Sequence, residues 1–168
     1  MPFLKRLRQT SPDKVNGKLV KFRAGDCLSI DCKNGNYIAV FVYGKFNAYY
    51  LLTLIEYYKT VKPQLPDFIR GKFFGTRFGS WEDLTYAVAI RMIKCKYIDS
   101  CDVEKVGDIK IKSSVTRGSY SYDKSIEMLL DIYLEELPIR LEKSKNAEKF
   151  PDLAFLSKHL VDVKNIIE

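Results

Sequence analysis

The feature that most constrains the fold is a pair of alternating apolar and polar segments joined by Asn34 and Gly35. An Asn-Gly pair between two such segments is a strong signal for a β-hairpin, because both residues tolerate the positive φ angles of a tight turn. The second segment, residues 37–43, is apolar on both faces, as expected for a strand that is buried on both sides. The sequence therefore predicts a sheet in which residues 37–43 form a central strand.

Further strand patterns, joined by short turns, extend the predicted antiparallel sheet over residues 18–112. Residues 84–98 are also compatible with a helix, but their content of Val, Ile, Tyr and Thr favours a strand. Residues 68–79 are rich in Gly and Phe and are predicted to form an irregular strand or a closing loop. Bends near Gly44 and Met92 would let the sheet curl into a small, partial barrel like that of SH3 domains.

From about residue 122 the apolar period changes from two residues to that of a helix. The residues that share one helical face are Ile126, Leu129, Leu130, Tyr133, Leu134 and Leu137. Ser121 is a suitable N-cap, and Pro138 would end or kink this helix. A second helix is predicted from Asp152 onwards. Strands followed by two C-terminal helices give an α+β fold with a bent, mainly antiparallel sheet.

Basic residues are concentrated at the amino end of the chain. The formal net charge is +7, and residues 1–25 contain seven basic residues against one acidic residue. Such an arm can bind phosphates or an acidic protein surface. Chain ends are also commonly poorly ordered. We therefore predict a basic leader over residues 1–17, followed by a single domain over residues 18–168.

The cysteine and histidine content does not indicate a metal centre. The spacings of Cys27 and Cys32, and of Cys95 and Cys101, do not match the C-x2-C pattern of zinc sites. Cys27 and Cys32 are an odd number of residues apart, so their side chains would point to opposite faces of a strand. The sequence therefore predicts buried free thiols, with no metal and no cofactor.

A catalytic arrangement is not visible in the sequence either. Nucleophilic catalysis needs a base held by an orienting acid, and His159 is the only imidazole available. The visible pairs of carboxylates lie near turns, where solvated acids are common. These pairs are Asp26 with Asp31 and Glu82 with Asp83. We therefore predict no catalytic residues and a protein that is not an enzyme.

Aromatic residues suggest a binding function, since they make up 13% of the chain. Tyr, Trp and Arg dominate the energetic centres of protein interfaces. The predicted partner-binding residues are Arg77, Phe78, Trp81, Glu82 and Asp83, because a segment bearing Gly and aromatics looks too irregular for the core. Exposed aromatics beside Lys and Arg can also stack on the bases of single-stranded nucleic acid. Nucleic-acid binding, helped by the basic leader, is therefore the alternative.

Residues 22–43 resemble the opening of small immunity proteins from bacterial polymorphic-toxin systems. The residues that carry the resemblance are Gly25, Asp26, Leu28, Ile30, Asn34, Gly35 and Tyr37. The resemblance implies a non-enzymatic inhibitor that binds one cognate toxin and blocks its active site, as in a toxin–antitoxin pair.

Immunity proteins are often acidic, whereas this chain has a pI near 9.1. The toxin's contact surface should then be acidic, or the acidic residues of this chain should be clustered. The densest acidic stretch of the middle region, residues 26–122, contains Glu82, Asp83, Asp99, Asp102, Glu104 and Asp108. No apolar run reaches the ~18 residues of a membrane span, and residues 1–10 lack the apolar core of a signal peptide. We therefore expect a cytoplasmic protein with no membrane partner.

Overall fold

The computed structural model describes residues 14–15, 18–80, 83–99, 102–149 and 156–168. The strands are β1 (Lys14–Val15), β2 (Lys18–Leu19), β3 (Asp26–Asp31), β4 (Tyr37–Phe46), β5 (Tyr49–Lys59), β6 (Lys72–Ser80), β7 (Asp83–Lys94), β8 (Val103–Asp108), β9 (Thr116–Asp123) and β10 (Leu156–Asp162). The α-helices are α1 (Leu65–Ile69), α2 (Cys95–Asp99) and α3 (Ile126–Lys149), and a short 3-10 helix follows β10 at Val163–Asn165. The predicted α+β class is confirmed.

Eight of the strands form one open, mostly antiparallel sheet, and β1 pairs with β2 separately. The order in the sheet is β10-β6-β7-β5-β4-β3-β8, and β9 pairs with β7 in parallel. Strand β4 lies between β3 and β5, which confirms the prediction that residues 37–43 form a central strand. The SH3-like partial barrel is not confirmed, because the sheet remains open.

Both faces of the sheet carry a hydrophobic core. On one side, termed the helix face, Val40 packs in a cluster with Leu129 and Tyr133 of α3. On the other side, termed the second face, Phe41 packs in a cluster with Phe68 of α1 and with the C-terminal residues after β10. Adjacent residues of β4 therefore point into different cores, which explains why this strand is apolar on both faces.

The turn that leads into β3 depends on Gly25. Its φ angle is +92°, a conformation that side chains with a Cβ rarely adopt. The Gly25 N–H donates to the Val42 carbonyl at 2.7 Å, and the Gly25 carbonyl accepts a hydrogen bond from the Ile109 N–H at 2.8 Å. A Cβ at this position would lie 2.3 Å from the Ile109 carbonyl oxygen. A glycine is therefore required where the chain crosses between β4 and the segment after β8.

The helical part of the fold differs from the prediction at both ends of α3. The helix is capped by Ser125, whose Oγ accepts a hydrogen bond from the Met128 N–H at 3.1 Å, whereas Ser121 lies in β9. The helix also continues through Pro138 to residue 149. Pro138 therefore does not end the helix, although a proline in a helix interior removes one backbone hydrogen bond.

The second C-terminal helix predicted from Asp152 is not confirmed, because Leu156–Asp162 form a strand. Within β10, Leu160 belongs to the helix-face core and Val161 to the second-face core. The spacing of four residues between Leu156 and Leu160 is a multiple of two as well as close to a helical turn. The apolar pattern alone was therefore ambiguous.

The predicted limits of the sheet were too narrow, because β9 and β10 lie beyond residue 112. Residues 84–98 are mainly strand, as predicted, and end in the short helix α2. Most of the predicted leader, residues 1–17, lies outside the described residues. Among the helices that the structure describes, none is long and apolar enough to cross a membrane.

Candidate functional site

Of the predicted partner-binding residues, the structure describes Arg77, Phe78 and Asp83, which lie on the paired strands β6 and β7. Arg77 and Phe78 lie on β6, are half-buried and pair with β7 in regular register. Asp83 is the first residue of β7, while Trp81 and Glu82 lie outside the described residues. The premise that this segment is irregular is wrong for its described part, since residues 77–80 belong to the regular strand β6. A role for these five residues in partner binding stays a prediction.

The acidic stretch near β8 is largely neutralised by lysines. The ion pairs that involve it or its neighbour β3 are Lys33–Asp102, Lys62–Glu104 and Lys105–Asp26. Lys105 also lies 3.9 Å from Asp108. Exposed pairs of this kind add little stability, but they balance the charge. This edge of the sheet therefore does not present a strongly acidic surface.

A group of exposed aromatic side chains lies on the second face, where β4, β5, β7 and β9 meet. Phe46 is 55% exposed, Tyr120 48% and Tyr122 42%. The register places Tyr120 and Tyr122 beside the second-face residues Ile90 and Met92 of β7. Residues aligned in neighbouring strands point to the same side of a sheet. This group, termed the tyrosine face, consists of Tyr43, Phe46, Tyr49, Arg117, Tyr120 and Tyr122.

Contacts within the tyrosine face hold Arg117 in place. Its guanidinium lies 5.7 Å from the centre of the Tyr43 ring, and its Nη1 donates to the Tyr120 hydroxyl at 3.0 Å. The Tyr43 hydroxyl in turn donates to the Val115 carbonyl at 3.0 Å. The hydrogen bond with Tyr120 raises the pKa of Arg117 above its ordinary value, so the side chain stays charged. The side chains of Arg117 on β9 and Tyr43 on β4 thus meet across β5 and β7, the two strands that lie between β4 and β9.

A second pair of aromatics joins β9 to β5. The rings of Tyr49 and Tyr122 lie 5.4 Å apart in an edge-on arrangement. A hydrogen bond between the two side chains raises the pKa of Tyr122. Aromatic pairs with this geometry stabilise each other beyond their buried area. The exposed rings of Tyr120 and Tyr122 are therefore held in fixed positions, as a binding surface requires.

The sequence interpretation missed this surface because it missed β9. The strand reads Thr-Arg-Gly-Ser-Tyr-Ser-Tyr-Asp, in which the alternating residues are Ser and Tyr rather than polar and aliphatic. Tyr120 and Tyr122, two residues apart and of a type that favours strands, were the signal that could have indicated it.

An open cleft of about 380 Å³ adjoins the tyrosine face at Tyr43. Its lining includes the exposed lysine Lys112, together with Lys110, which forms an ion pair with Glu168 at 2.7 Å. Lys94 of β7 pairs in register with Tyr49 on the tyrosine face itself. The surroundings of the exposed aromatics are therefore mainly basic.

Buried arginines from two elements meet on the helix face, Arg91 from β7 and Arg140 from α3. Arg91 makes a two-pronged contact with Asp123, with Nε to Oδ2 at 2.9 Å and a second nitrogen to Oδ1. The Arg140 Nε donates to Glu136 at 3.2 Å, and its guanidinium lies 4.5 Å from the centre of the Phe74 ring. Burial lowers the pKa of Arg140, and the nearby charge of Arg91 lowers it as well. The two cations, Arg91 and Arg140, are paired with two carboxylates, Asp123 and Glu136, so the charges of this cluster cancel.

The cavity within this cluster is small. It is also lined by Ser119 and Ser121 and has a volume of about 20 Å³, which is room for about one water molecule. Small-molecule sites are typically more than ten times larger, on the order of 300–1,000 Å³. The cluster therefore fixes β9 and α3 to β7 and offers no space for a substrate.

The described cysteines are poorly suited to nucleophilic chemistry. Burial raises the pKa of Cys27 to about 12 and that of Cys95 to about 11, so both thiols stay protonated at neutral pH. Cys27 packs in the second-face core and Cys32 against the helix-face core, on opposite sides of β3 as predicted. Cys101 lies outside the described residues. Within the ranges that the structure describes, no three His, Cys, Asp or Glu side chains converge to hold a metal ion.

Comparisons with known proteins give no guide to the function. No protein-family model matches the sequence. No curated protein matches it, and no solved structure matches its fold. The function is therefore inferred from the residues of this chain.

Proposed function

We propose that this chain is a non-enzymatic protein-binding module and that its tyrosine face is the surface that binds the partner. The observation that carries the proposal is the exposure of Phe46, Tyr120 and Tyr122 together on the sheet face that also carries the second-face core. Tyr and Arg are the residue types that contribute most to protein interfaces. Because Arg117 and the tyrosines are already held by one another, little side-chain entropy is lost when a partner binds.

The sharper form of the proposal is that the partner is a bacterial toxin. The resemblance of residues 22–43 to immunity proteins supports this form. The basic surroundings of the tyrosine face indicate a partner with an acidic contact surface. An immunity protein acts by covering its toxin. For this the immunity protein needs a stable binding surface, but no catalytic group of its own.

Binding of single-stranded nucleic acid is the second candidate function. The same exposed rings could stack on bases, while Arg117 and Lys112 could contact phosphates. The two functions differ in their dependence on salt. Binding through 6–10 phosphate contacts loses about 10³–10⁵ in affinity between 50 and 200 mM salt, whereas an aromatic protein interface weakens far less.

The proposal is tested by capturing the partner with wild-type and altered chains. The double variant Tyr120→Ser/Tyr122→Ser removes two exposed rings of the tyrosine face. The control is Ile139→Ser, which removes a side chain that is 55% exposed on α3, outside the tyrosine face. Partners from the source cells are identified by mass spectrometry, and a large secreted protein encoded by the adjacent gene is tested directly for toxicity and its rescue.

We expect the wild type and the control to capture the same protein, and the double variant to bind it at least about tenfold more weakly, a loss of about 1.4 kcal/mol. Equal binding by a folded double variant would contradict the proposal. Binding of a fifteen-nucleotide oligo(dT) that falls steeply with salt would favour nucleic acid instead. The same assay with Arg77→Ala and Phe78→Ala tests the hairpin residues predicted from the sequence.

A further inference from the structure

Two of the strands with an open edge in the sheet are protected against pairing with another strand. Strand β8 is six residues long and carries Glu104 and Lys105, each in an ion pair with a neighbouring element. Short length and charged side chains are common means of preventing edge-to-edge pairing. The edge of β10 is covered by α3, because the Leu160 N–H donates to the Ser144 Oγ at 3.0 Å.

The middle of strand β9, residues 118–122, has neither kind of protection. It is eight residues long and pairs with β7 on one side, and none of the described strands pairs with its other edge. Residues 118–122 contain no charged residue and no proline. Ser119, Tyr120 and Tyr122 are exposed. The free backbone N–H and C=O groups of such an edge are a template for an added strand.

The charges around β9 define the chemistry of an added strand. Arg117 lies near one end of β9 and Lys124 follows the other end, and both are exposed. Asp123 is the only carboxylate in residues 116–124, and it is buried against Arg91. An acidic segment would therefore meet complementary charge at both ends of the strand.

The same charges disfavour a second copy of this chain as the occupant. Two copies of β9 side by side would bring four cations into one short ladder. The only carboxylates of that ladder would be the two buried copies of Asp123, each already neutralised by its own Arg91. Like charges in adjacent strands are destabilising.

We propose that β9 binds its partner by strand addition, in which an extended, acidic segment of the partner protein pairs with the outer edge of β9. In this mode the backbone hydrogen bonds supply affinity, and alternate side chains of the added segment supply specificity. The side chains of the added segment that lie on the same side of the sheet as the tyrosine face pack against Tyr120 and Tyr122. This inference rests on the proposed function, since it specifies how the same surface holds a protein.

The test uses the full chain, labelled with ¹⁵N, and an acetylated ten-residue peptide that alternates valine with glutamate. A matched peptide has lysine in place of glutamate. Amide hydrogen exchange is followed for residues 116–123. We expect the glutamate peptide to slow the exchange of every second amide in β9 by about tenfold or more, and the lysine peptide to have little effect.

A charge reversal tests the role of Arg117. Arg117→Glu should weaken binding of the glutamate peptide and strengthen that of the lysine peptide. The matched control is Lys143→Glu on α3, which changes the net charge by the same amount at an exposed position outside β9. Equal effects of the two substitutions would show that general attraction, rather than β9, holds the peptide.

The remaining outcomes separate this inference from the proposed function. Absence of amide protection by the glutamate peptide overturns strand addition. If Tyr120→Ser/Tyr122→Ser still abolishes partner capture in that case, the tyrosine face binds protein through side chains alone. Protection of the outward-facing amides of β9 in the free protein, together with a dimeric mass, would identify a second copy as the occupant. Protection by oligo(dT) but by neither peptide would identify nucleic acid.

Discussion

Replacing Asp123 with leucine should destabilise the protein strongly. The Asp123 side chain is fully buried, and its two oxygens are the partners of the Arg91 guanidinium, whose side chain is only 10% exposed. Asp123→Leu would leave Arg91 charged and buried, close to the buried cation Arg140. Removing one partner of a buried ion pair typically costs about 3–5 kcal/mol. The proximity of Arg140 places the expected loss at the upper end of that range.

The assay is urea unfolding at neutral pH, with the free energy of unfolding obtained by linear extrapolation. A loss of about 5 kcal/mol lowers the folding equilibrium constant by more than three orders of magnitude. The double variant Arg91→Met/Asp123→Leu removes both charges and should recover most of this loss, since apolar replacements of buried pairs are often neutral or better. Glu104→Leu, which breaks the exposed pair with Lys62, is the control and should cost less than about 1 kcal/mol.

Two results would refute this reasoning. If Asp123→Leu costs no more than Glu104→Leu, the carboxylate is not needed to neutralise Arg91. If the double variant is as unstable as Asp123→Leu alone, the loss comes from packing or from the end of β9 rather than from an unpaired charge. The double variant also keeps the test informative if the single variant does not fold.

Two further perturbations test the two cores. Tyr50→Phe removes a hydroxyl that accepts a hydrogen bond from the buried Phe22 N–H at 3.1 Å and donates to Asp99 at 2.7 Å. It should lower the free energy of unfolding by about 2–3 kcal/mol; a change below about 0.5 kcal/mol in urea unfolding would contradict this. Because burial raises the pKa of Cys27 from 9.0 to about 12, the folded state keeps a proton that the unfolded state releases, so stability should fall as the pH rises from about 9 to 12. Cys27→Ala should flatten this part of the pH profile, and an unchanged slope would show that other groups cause it.

Local patterns were sufficient to predict the hairpin formed by β3 and β4, the strand β7 and the apolar face of α3. In each case the turn residues or the apolar period lie within one short segment, such as Asn34 and Gly35. Strand β10 was mistaken for a helix because the spacing of its leucines fits both periods. Strand β9 was missed because it pairs in parallel with β7, a strand about 30 residues earlier in the sequence, so no hairpin turn indicates the pairing.

The candidate site was only partly predictable because its residues are distant from one another in the sequence. The abundance of aromatics indicated a binding surface, but composition does not show which rings are buried. Tyr43 and Tyr49 are separated from Tyr122 by more than seventy residues, and they meet only because the register of β4, β5, β7 and β9 brings them together. The prediction concentrated instead on Trp81 and its neighbours, which are adjacent in sequence.

The parallel pairing of β9 with β7 has a consequence for folding kinetics. After β7 the chain passes through β8 at the far edge of the sheet before β9 returns to pair with β7. Closing such a long loop is entropically costly and slow compared with forming a hairpin. The rings of β4 and β5 can therefore be in place early, while Arg117, Tyr120 and Tyr122 join them only when β9 docks on β7. The binding surface of a newly made chain is thus completed only after the β4–β5 hairpin and β7 have formed.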